Sequence, residues 1–526
     1  MNKVIFVYRK TNSLLFLELV LAVNLTSVAG DKGIEYTEAF RPQYHFTPPK
    51  NFMNDPNGMV YYKGEYHLFY QHNPSGNTWG HMSWGHAVSP DLIHWRHLPI
   101  ALFEEDEIMV FSGSAVVDWK NSSGLCTNPD PADRSCLVAF YTGHGRGKQT
   151  QNIAYSNDRG RTWTKYAGNP VIDINSNGFR DPKVFWHEST QKWIMVTVLA
   201  GEKKVRFYGS ADLKRWNALS DFGPAGATGG AWECPDLFQL GVDQDQNQSR
   251  WVLIVNINPG GVAGGSAGQY FIGQFDGTRF TNDNPDSQKL WVDYGKDFYA
   301  AVSWSDIPSS DGRRLWLGWM NNWQYADKVP TDPWRGAQSI PRVLTLKRSS
   351  EGIRLVQNPV IEMRKLRDQH YHLENENIAG DSALLADRVA GDTLEIQAEF
   401  HLGSATEFGF KVRRGSSEET LVGYDVRNKQ IFIDRTHSGK VEFSPDFPGR
   451  HAGALSPQNE TVRLHIFIDR CSAEVFGNDG RTVLTELIFP DSNSQGIQPY
   501  SRNGHAKLVS LDIWKLRSAW ELTRNS

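Results

Sequence analysis

Asp55, Asp181 and Glu233 are the acidic residues of this 526-residue chain whose settings best suit acid–base chemistry. Asp55 lies in the sequence NDPNG, Asp181 in RDPK and Glu233 in WECPD. Two carboxyl groups together can break a glycosidic bond, because one protonates the leaving oxygen while the other attacks or stabilises the sugar cation. Each acid alone fits an ordinary turn or a salt-bridged strand residue. The prediction of a site therefore depends on whether the fold brings the acids together.

The elements that carry these acids are predicted to be β-strands. Helical periodicity is almost absent, and short alternating or aromatic segments are separated by turns of glycine, asparagine, aspartate and proline, which predicts an all-β fold. A strand–turn–strand unit recurs about every 50–70 residues, the length of a four-stranded propeller blade. Five copies predict a five-bladed β-propeller in residues 30–345. The copies begin near Asp55, Phe111, Arg180, Glu233 and Phe298.

A propeller would have a direct chemical consequence for the acids. The innermost strand of each blade faces the central axis, so the residues that open these strands converge on one funnel. Asp55, Asp181 and Glu233 open the inner strands of three different copies. We therefore predict that they meet in one site although they are far apart in the sequence.

The character of the chain changes after residue 345. Residues 346–375 are predicted to be a linker with at most one short helix, and residues 376–526 a C-terminal β-sandwich with one buried face per strand. This region has no comparable set of acids in its sequence, so we expect a structural or accessory role. Its predicted strands cover residues 394–400, 408–412, 421–426, 430–433, 462–468, 472–476, 483–489 and 508–514.

The N-terminal segment has the features of a secretory signal. Lys3, Arg9 and Lys10 precede an apolar stretch, and a small-x-small cleavage sequence follows it. We predict a signal peptide in residues 1–29 and a secreted protein. No later segment is apolar enough to span a membrane. The net charge of −4 comes from interleaved acids and bases, which argues against a membrane or nucleic-acid partner.

The four cysteines fit an oxidising compartment. Cys126 and Cys136 bracket a polar, proline-rich insertion that a disulfide could close. Cys234 and Cys471 lie in strand-like segments far apart in the sequence, and we predict that both are buried free thiols. The spacings do not match those of a zinc site.

Taken together, the motifs resemble those of family 32 glycoside hydrolases, which include invertases, levanases, inulinases and fructan exohydrolases. The resemblance runs from about Tyr44 to the C-terminus and is greatest to secreted exo-levanases. It implies a five-bladed propeller followed by a β-sandwich, in agreement with the repeats. The four matching boxes are MNDPNG at residues 53–58, FSGS at 111–114, FRDP at 179–182 and WECPD at 232–236.

The resemblance implies a role for each acid. Asp55 resembles the nucleophile that forms a fructosyl-enzyme with net retention, Glu233 the acid/base, and Asp181 the residue that holds the fructose hydroxyls. Phe52 stands where many members have tryptophan, so a small effect on sugar packing is expected. No metal or cofactor is implied. The resemblance places ten further residues around the terminal fructose: Phe52, Met53, Asn54, Gln71, Trp79, Phe111, Ser112, Arg180, Trp323 and Trp334.

The expected activity is exo-acting hydrolysis of terminal, non-reducing β-D-fructofuranosyl residues from levan, inulin and/or sucrose. Two alternatives stay open at this point. A fructosyltransferase would use the same intermediate and pass it to a sugar, and a fructan-binding lectin would keep the propeller without the chemistry. The intact acids argue against the lectin, since a binding module needs no such trio.

Overall fold

β-Strands provide nearly all regular structure in the part of the chain that the computed structural model describes, which is residues 36–127, 132–386 and 388–520. The prediction of an all-β fold is confirmed. Among these residues, no helix has the length and apolar character needed to cross a membrane. The predicted signal peptide, residues 1–29, lies outside the described residues.

In the described residues, 22 strands precede residue 360. Three short 3-10 helices lie at Glu188–Thr190, Ala200–Glu202 and Ile361–Leu366. The strands are β1 (Asn51–Tyr62), β2 (Glu65–His72), β3 (Ser83–Ser89), β4 (Arg96–Leu102), β5 (Met109–Val117), β6 (Leu137–Gly145), β7 (Lys148–Ser156), β8 (Thr164–Lys165), β9 (Ile172–Ser176), β10 (Phe179–His187), β11 (Lys192–Leu199), β12 (Lys204–Ser210), β13 (Asn217–Phe222), β14 (Ala231–Val242), β15 (Asp245–Asn258), β16 (Ala267–Phe275), β17 (Phe280–Asn282), β18 (Tyr299–Ser303), β19 (Arg314–Trp319), β20 (Trp334–Arg335), β21 (Arg342–Ser349) and β22 (Gly352–Pro359).

Most of these strands form five antiparallel groups of four; in addition β9 pairs with β7, β20 pairs with β1, and β14 pairs with β21 across two groups. The groups are β1 to β4, β5 to β8, β10 to β13, β14 to β17, and a last group of β18, β19, β21 and β22. The first strands of the groups pack against one another in cyclic order: β1 on β5, β5 on β10, β10 on β14, β14 on β18, and β18 on β1. This order brings the starts of five strands to the centre of this part of the fold.

Burial follows position within each group. The second strands β2 and β11 are buried along almost their whole length. The fourth strands β4 and β13 are largely exposed or half-buried. A strand covered on both faces requires a continuous apolar run, whereas an edge strand tolerates polar side chains. Burial thus separates the inner strands of a group from its exposed edge strand.

The C-terminal region has a separate strand order. Its hydrogen-bonded path runs β28-β27-β26-β25-β32-β24-β29-β30-β31, and β23 pairs with β32 beside this path. One half of β32 pairs with β25 and the other half with β24. The strands are β23 (Arg367–Asp381), β24 (Leu394–His401), β25 (Glu407–Arg414), β26 (Thr420–Asp425), β27 (Gln430–Asp434), β28 (Arg450–Ala454), β29 (Thr461–Asp469), β30 (Ser472–Gly477), β31 (Thr482–Leu487) and β32 (Gly496–Leu516).

One apolar cluster joins the two halves of this region. Phe408 and Tyr424 come from β25 and β26, on one side of β32. Phe400 and Ile466 come from β24 and β29, on its other side, and all four are fully buried in the same cluster. The two halves therefore pack on each other around a shared core.

The segment predicted as a linker is shorter in the structure. Residues 346–359 belong to β21 and β22, and β23 begins at Arg367. Only Val360 and the 3-10 helix Ile361–Leu366 lie between the last group of four and the C-terminal region. The start of the predicted linker was misplaced because β22 is held by its pairing with β21, which sequence pattern alone does not reveal.

Buried polar contacts fix the C-terminal region beneath the strand that carries Asp55. Arg342 donates to Glu474 Oε2 at 2.6 Å, and the backbone N–H of Ile340 donates to Glu474 Oε1 at 3.0 Å. Two residues earlier, the Gln338 side chain donates to the backbone oxygen of Asn54 at 2.9 Å. The segment that contains these residues thus connects the C-terminal region to the turn beside Asp55.

The cysteines lie as predicted. Cys126 and Cys136 form a disulfide, and Cys234 and Cys471 are free and buried. Both predictions are confirmed.

Candidate active site

A β-bulge interrupts the first strand of every group of four at an equivalent place. In each case two residues of the first strand stand opposite one residue of the second strand. A bulge bends its strand and changes the direction of the neighbouring side chains. The bulged pairs are Asn54–Asp55 in β1, Phe111–Ser112 in β5, Asp181–Pro182 in β10, Cys234–Pro235 in β14 and Ala300–Ala301 in β18.

Three of these bulges contain left-handed backbone. The φ angles are 63° at Asp181, 43° at Cys234 and 54° at Ala300. Such conformations cost non-glycine residues about 1–3 kcal/mol and persist only where the surrounding structure holds them. Two of the three residues, Asp181 and Cys234, belong to the site, so the packing around the acids holds their backbone in this conformation.

Asp55 is buried and receives three donors. Its Oδ1 accepts from Asn54 Nδ2 at 2.9 Å, and its Oδ2 accepts from Ser112 Oγ at 2.6 Å. The Cys234 thiol lies 3.4 Å from Oδ2. The carboxylate is therefore held in one orientation by groups from β1, β5 and β14.

Cys234 connects Asp55 with Asp181. The backbone N–H of Cys234 donates to Asp181 Oδ2 at 2.8 Å, and its thiol lies 3.7 Å from the same oxygen. The backbone N–H of Asp181 donates to Thr142 Oγ1 at 2.9 Å. Burial raises the pKa of the Cys234 thiol well above its usual range. Cys234 therefore remains a neutral thiol beside two carboxyl groups.

Arg180, Glu233 and Tyr299 occupy equivalent positions, each directly before the bulge of its strand. Arg180 Nη2 donates to Glu233 Oε1 at 3.0 Å, and the Tyr299 hydroxyl donates to Glu233 Oε2. The Glu233 side chain is 22% exposed, whereas Asp55 and Asp181 are 8% and 6% exposed. Of the three acids, Glu233 is thus the one that incoming molecules reach most easily, and its carboxyl plane is fixed from both sides.

Burial dominates the electrostatics of the two aspartates. It raises the pKa of Asp181 to about 7; the Arg180 charge opposes this shift, and the nearby Glu233 and Asp55 charges add to it. Burial also raises the pKa of Asp55, against the hydrogen bond from Ser112. Three carboxyl groups thus share a poorly solvated space with one arginine beside them.

The pKa of Asp181, raised mainly by burial, predicts that this residue destabilises the fold as the pH rises. Between its ordinary pKa of 3.8 and about 7, the folded protein holds a proton that the unfolded chain releases, so stability falls with increasing pH. The full cost above pH 7 is about 4 kcal/mol. We expect Asp181→Asn to melt several degrees above the parent at pH 8, and the difference to shrink towards zero near pH 4.

Scanning calorimetry at both pH values measures this difference. Asp283→Asn is the matched control, because it removes a surface carboxylate that pairs with Arg250. The melting temperature of Asp283→Asn, relative to that of the parent, should not rise with pH. If Asp181→Asn raised the melting temperature equally at pH 4 and pH 8, the raised pKa of Asp181 would not be the cause.

Aromatic side chains border the acids on one side. Trp79 is 42% exposed, and its ring meets Phe111 edge-on at 6.0 Å. Phe111 in turn stacks on His144 at 4.4 Å. Flat rings of this kind suit contact with the C–H faces of a sugar.

A second aromatic group lies beside Glu233. Phe52 stacks with Trp323 at 6.4 Å, and Trp323 contacts Trp319 at 4.7 Å. Phe52 shares an apolar cluster with Cys234 and Tyr299, against which Phe111 and Trp323 pack. The two aromatic groups are therefore connected around the acids.

Three residues predicted to surround the terminal fructose lie in environments of a different kind. Met53 is fully buried in an apolar core cluster, and Gln71 donates to the backbone oxygen of Val110 at 3.0 Å, which links β2 to β5. Trp334 is 2% exposed beneath the Arg41 guanidinium, in a cluster that includes Phe489 of the C-terminal region. The Trp334 ring is therefore packed inside this cluster under Arg41, and the structure does not place it against the acids.

The structure also shows residues that sequence reasoning missed. Tyr299 contacts Glu233 directly, and Gln338 supports Asn54. Tyr299 opens the inner strand of the fifth copy, one residue after the start predicted from the repeats. Its position in the repeat was therefore a usable signal. No repeat marks Gln338.

Sequence profiles of known families match nearly the whole described chain. The profile of the glycosyl hydrolases family 32 N-terminal domain matches residues 45–359, and that of the family 32 C-terminal domain matches residues 362–515. The two matches meet at the 3-10 helix that joins the two regions.

Named relatives and solved structures agree with these profiles. A levanase of Bacillus subtilis (strain 168) is 54% identical over 96% of this chain and 74% of its own length. An extracellular exo-inulinase of Aspergillus awamori is 42% identical over 92% of this chain and 96% of its own. A crystal structure of the Aspergillus awamori exo-inulinase has a TM-score of 0.87 at 41% identity, covering 92% of this chain and all of that one. A Schwanniomyces occidentalis β-fructofuranosidase complexed with fructosyl-erythritol has a TM-score of 0.83 at 36% identity, covering 91% and 98%. The chain thus belongs to glycosyl hydrolase family 32 and is a glycoside hydrolase.

Proposed function

We propose that this enzyme is an exo-acting β-fructofuranosidase that removes terminal, non-reducing β-D-fructofuranosyl residues from levan, inulin and/or sucrose. The observation that carries the proposal is the linked group of Asp55, Asp181 and Glu233, joined through Cys234 and Arg180. The relatives named levanase and exo-inulinase support this choice of substrate.

In the proposed reaction, Asp55 attacks the anomeric carbon of the terminal fructose. The donors Asn54 and Ser112 orient its carboxylate and offset part of the cost of burying the charge. Attack forms a covalent fructosyl-enzyme, and a second displacement by water at the same carbon gives net retention.

Glu233 is proposed to move the proton in both steps. It first protonates the oxygen of the leaving sugar and then takes a proton from the attacking water. Contacts from Arg180 and Tyr299 fix the direction of its carboxyl group, and its partial exposure leaves room for a leaving group or for water. Asp181, held by Cys234, is proposed to bind fructose hydroxyls and stabilise the transition state.

We propose that the five groups of four strands are the blades of a propeller. The cyclic packing of their first strands supports this architecture, and the shared core of the C-terminal halves supports a β-sandwich. The predicted boundary at residue 345 moves to residue 359, where the last paired strand ends. Secretion with a signal peptide in residues 1–29 is part of the proposal. It is supported by the Cys126–Cys136 disulfide and by relatives named extracellular.

Exo attack predicts a simple product pattern. We propose that the inner strands and the aromatic side chains Trp79, Phe111 and Trp323 form a funnel with a blind end, so that only a chain end can place its fructose against Asp55. Digests of levan or inulin stopped at a few per cent conversion should contain free fructose and almost no intermediate oligomers. Anion-exchange chromatography of the products measures this.

The viscosity of the polymer supplies an independent check. Removal of single terminal units should leave viscosity nearly unchanged while reducing sugar accumulates. An endo-acting fructanase run in parallel should lower viscosity early. Abundant short oligofructosides in the early digest would show that the site accepts internal segments and that the exo assignment is wrong.

A further inference from the structure

His370, His372 and Asp512 form a side-chain cluster on two paired strands of the C-terminal region. His370 and His372 are two residues apart on β23, so their side chains lie on the same face of the sheet. In the strand register, His372 stands opposite Asp512 of β32, and His370 stands opposite Trp514. These strands differ from β1, β10 and β14, which carry the three catalytic candidates.

The ligand atoms of this cluster converge. His370 Nε2 and His372 Nδ1 each lie 2.8 Å from Asp512 Oδ1. All three atoms lie within 4.8 Å of one another, and among the described residues no other set of three histidine, cysteine or acidic side chains converges in this way. Two imidazole nitrogens and one carboxylate oxygen are a ligand set found in zinc sites and in non-haem iron(II) sites.

Neighbouring groups hold these ligands in place. The His370 ring stacks on Trp514 at 4.7 Å with an interplanar angle of 6°, and the Arg367 guanidinium lies 3.6 Å from the centre of the Trp514 ring. Glu374 Oε1 lies 3.1 Å from Nε2 of His372, the nitrogen that points away from Asp512. Metal-binding histidines commonly contact a carboxylate through their second nitrogen, which fixes the tautomer and the ring orientation.

We propose that this cluster binds one divalent transition-metal ion of the zinc class. The three side chains would supply three ligands, and water would complete the coordination sphere, since both imidazoles are 45% exposed. The site does not suit calcium or magnesium ions, because these ions require oxygen donors and two of the three donors here are nitrogens. The ion would fasten β23, which in the described sheet pairs with β32 alone, to that strand.

Calorimetric titration of Zn²⁺ into the full-length, tag-free and chelator-treated protein tests the proposal. The expected result is saturable binding of one ion per chain, together with a rise in melting temperature. His370→Ala and His372→Ala should each abolish both effects. Glu374→Gln, which removes only the carboxylate behind His372, should weaken binding about 10-fold.

His505→Ala is the matched control, because His505 is an exposed histidine of the same region whose ring contacts Ser404. It should bind Zn²⁺ as the parent does. Circular dichroism and unchanged fructose release from sucrose would confirm that the variants fold. The proposal fails if the parent shows no saturable binding, or if His370→Ala and His372→Ala bind Zn²⁺ with the affinity of the parent.

Discussion

Asp55→Asn is expected to abolish fructose release from sucrose, levan and inulin while the fold remains intact. The substitution keeps the shape of the side chain and its contact with Asn54 or Ser112, but it removes the charge proposed to attack the anomeric carbon. Loss of a nucleophile typically lowers the rate by several orders of magnitude, so we expect a fall in kcat of at least about 10⁴-fold. Reducing-sugar assays over four decades of enzyme concentration measure it.

Ser112→Ala is the matched control for this prediction. It removes the 2.6 Å donor to Asp55 Oδ2 but keeps the carboxylate. A hydrogen bond to a charged group contributes about 1.5–3 kcal/mol, so a loss of about 10- to 100-fold is expected. Asp55→Asn with activity within tenfold of the parent, at an unchanged melting temperature, would exclude Asp55 as the nucleophile.

Much of the strand pattern could be predicted because apolar alternation reports burial directly. The eight strands predicted after residue 390 correspond to β24–β27 and β29–β32. Two strands of the C-terminal region, β23 and β28, were not predicted, because their apolar alternation is weak. β23 is polar and exposed along most of its length, so only its pairing with β32 reveals it. β28 is short and mostly half-buried or exposed.

The acids could be grouped from the sequence because the repeats put them at equivalent positions. The contacts between the acids could not be predicted, because a bulge redirects the neighbouring side chains and the alternation of apolar and polar residues does not reveal a bulge. Arg180, Glu233 and Tyr299 contact one another because all three precede a bulge. The repeat reasoning recognised the strand of Tyr299 but not the direction of its hydroxyl.

Trp334 was predicted to line the sugar site, but the sequence did not predict its buried environment. A tryptophan in a sequence that resembles a carbohydrate enzyme suggests sugar stacking, but the ring also suits a buried interface. Arg41 covers Trp334 in this fold, and the C-terminal region packs beside it. Arg41 lies almost 300 residues earlier in the chain, so no local pattern could have predicted the contact.

Glu233→Gln is expected to lower kcat by about 10²- to 10⁴-fold, the usual contribution of a general acid–base group. Glutamine can keep the contacts with Arg180 and Tyr299 through its amide, but it cannot give a proton to the leaving sugar. The basic limb of the pH–rate profile should disappear with it, because that limb reports loss of this proton. Initial rates on sucrose between pH 4 and pH 9 measure both effects.

A substrate that needs no protonation separates this role from a structural one. Fluoride leaves from a fructosyl fluoride without a proton, and azide attacks the fructosyl-enzyme without a base. In the presence of azide, Glu233→Gln should therefore lose much less activity on the fluoride than on sucrose. Tyr299→Phe is the matched control, since it removes the hydroxyl that contacts Glu233 but keeps the acid. It should retain the basic limb and lose activity on both substrates to the same extent. If Glu233→Gln kept the basic limb and lost equal activity on the two substrates, another group would donate the proton. The Arg180–Glu233–Tyr299 contacts would then serve only to hold the strands together.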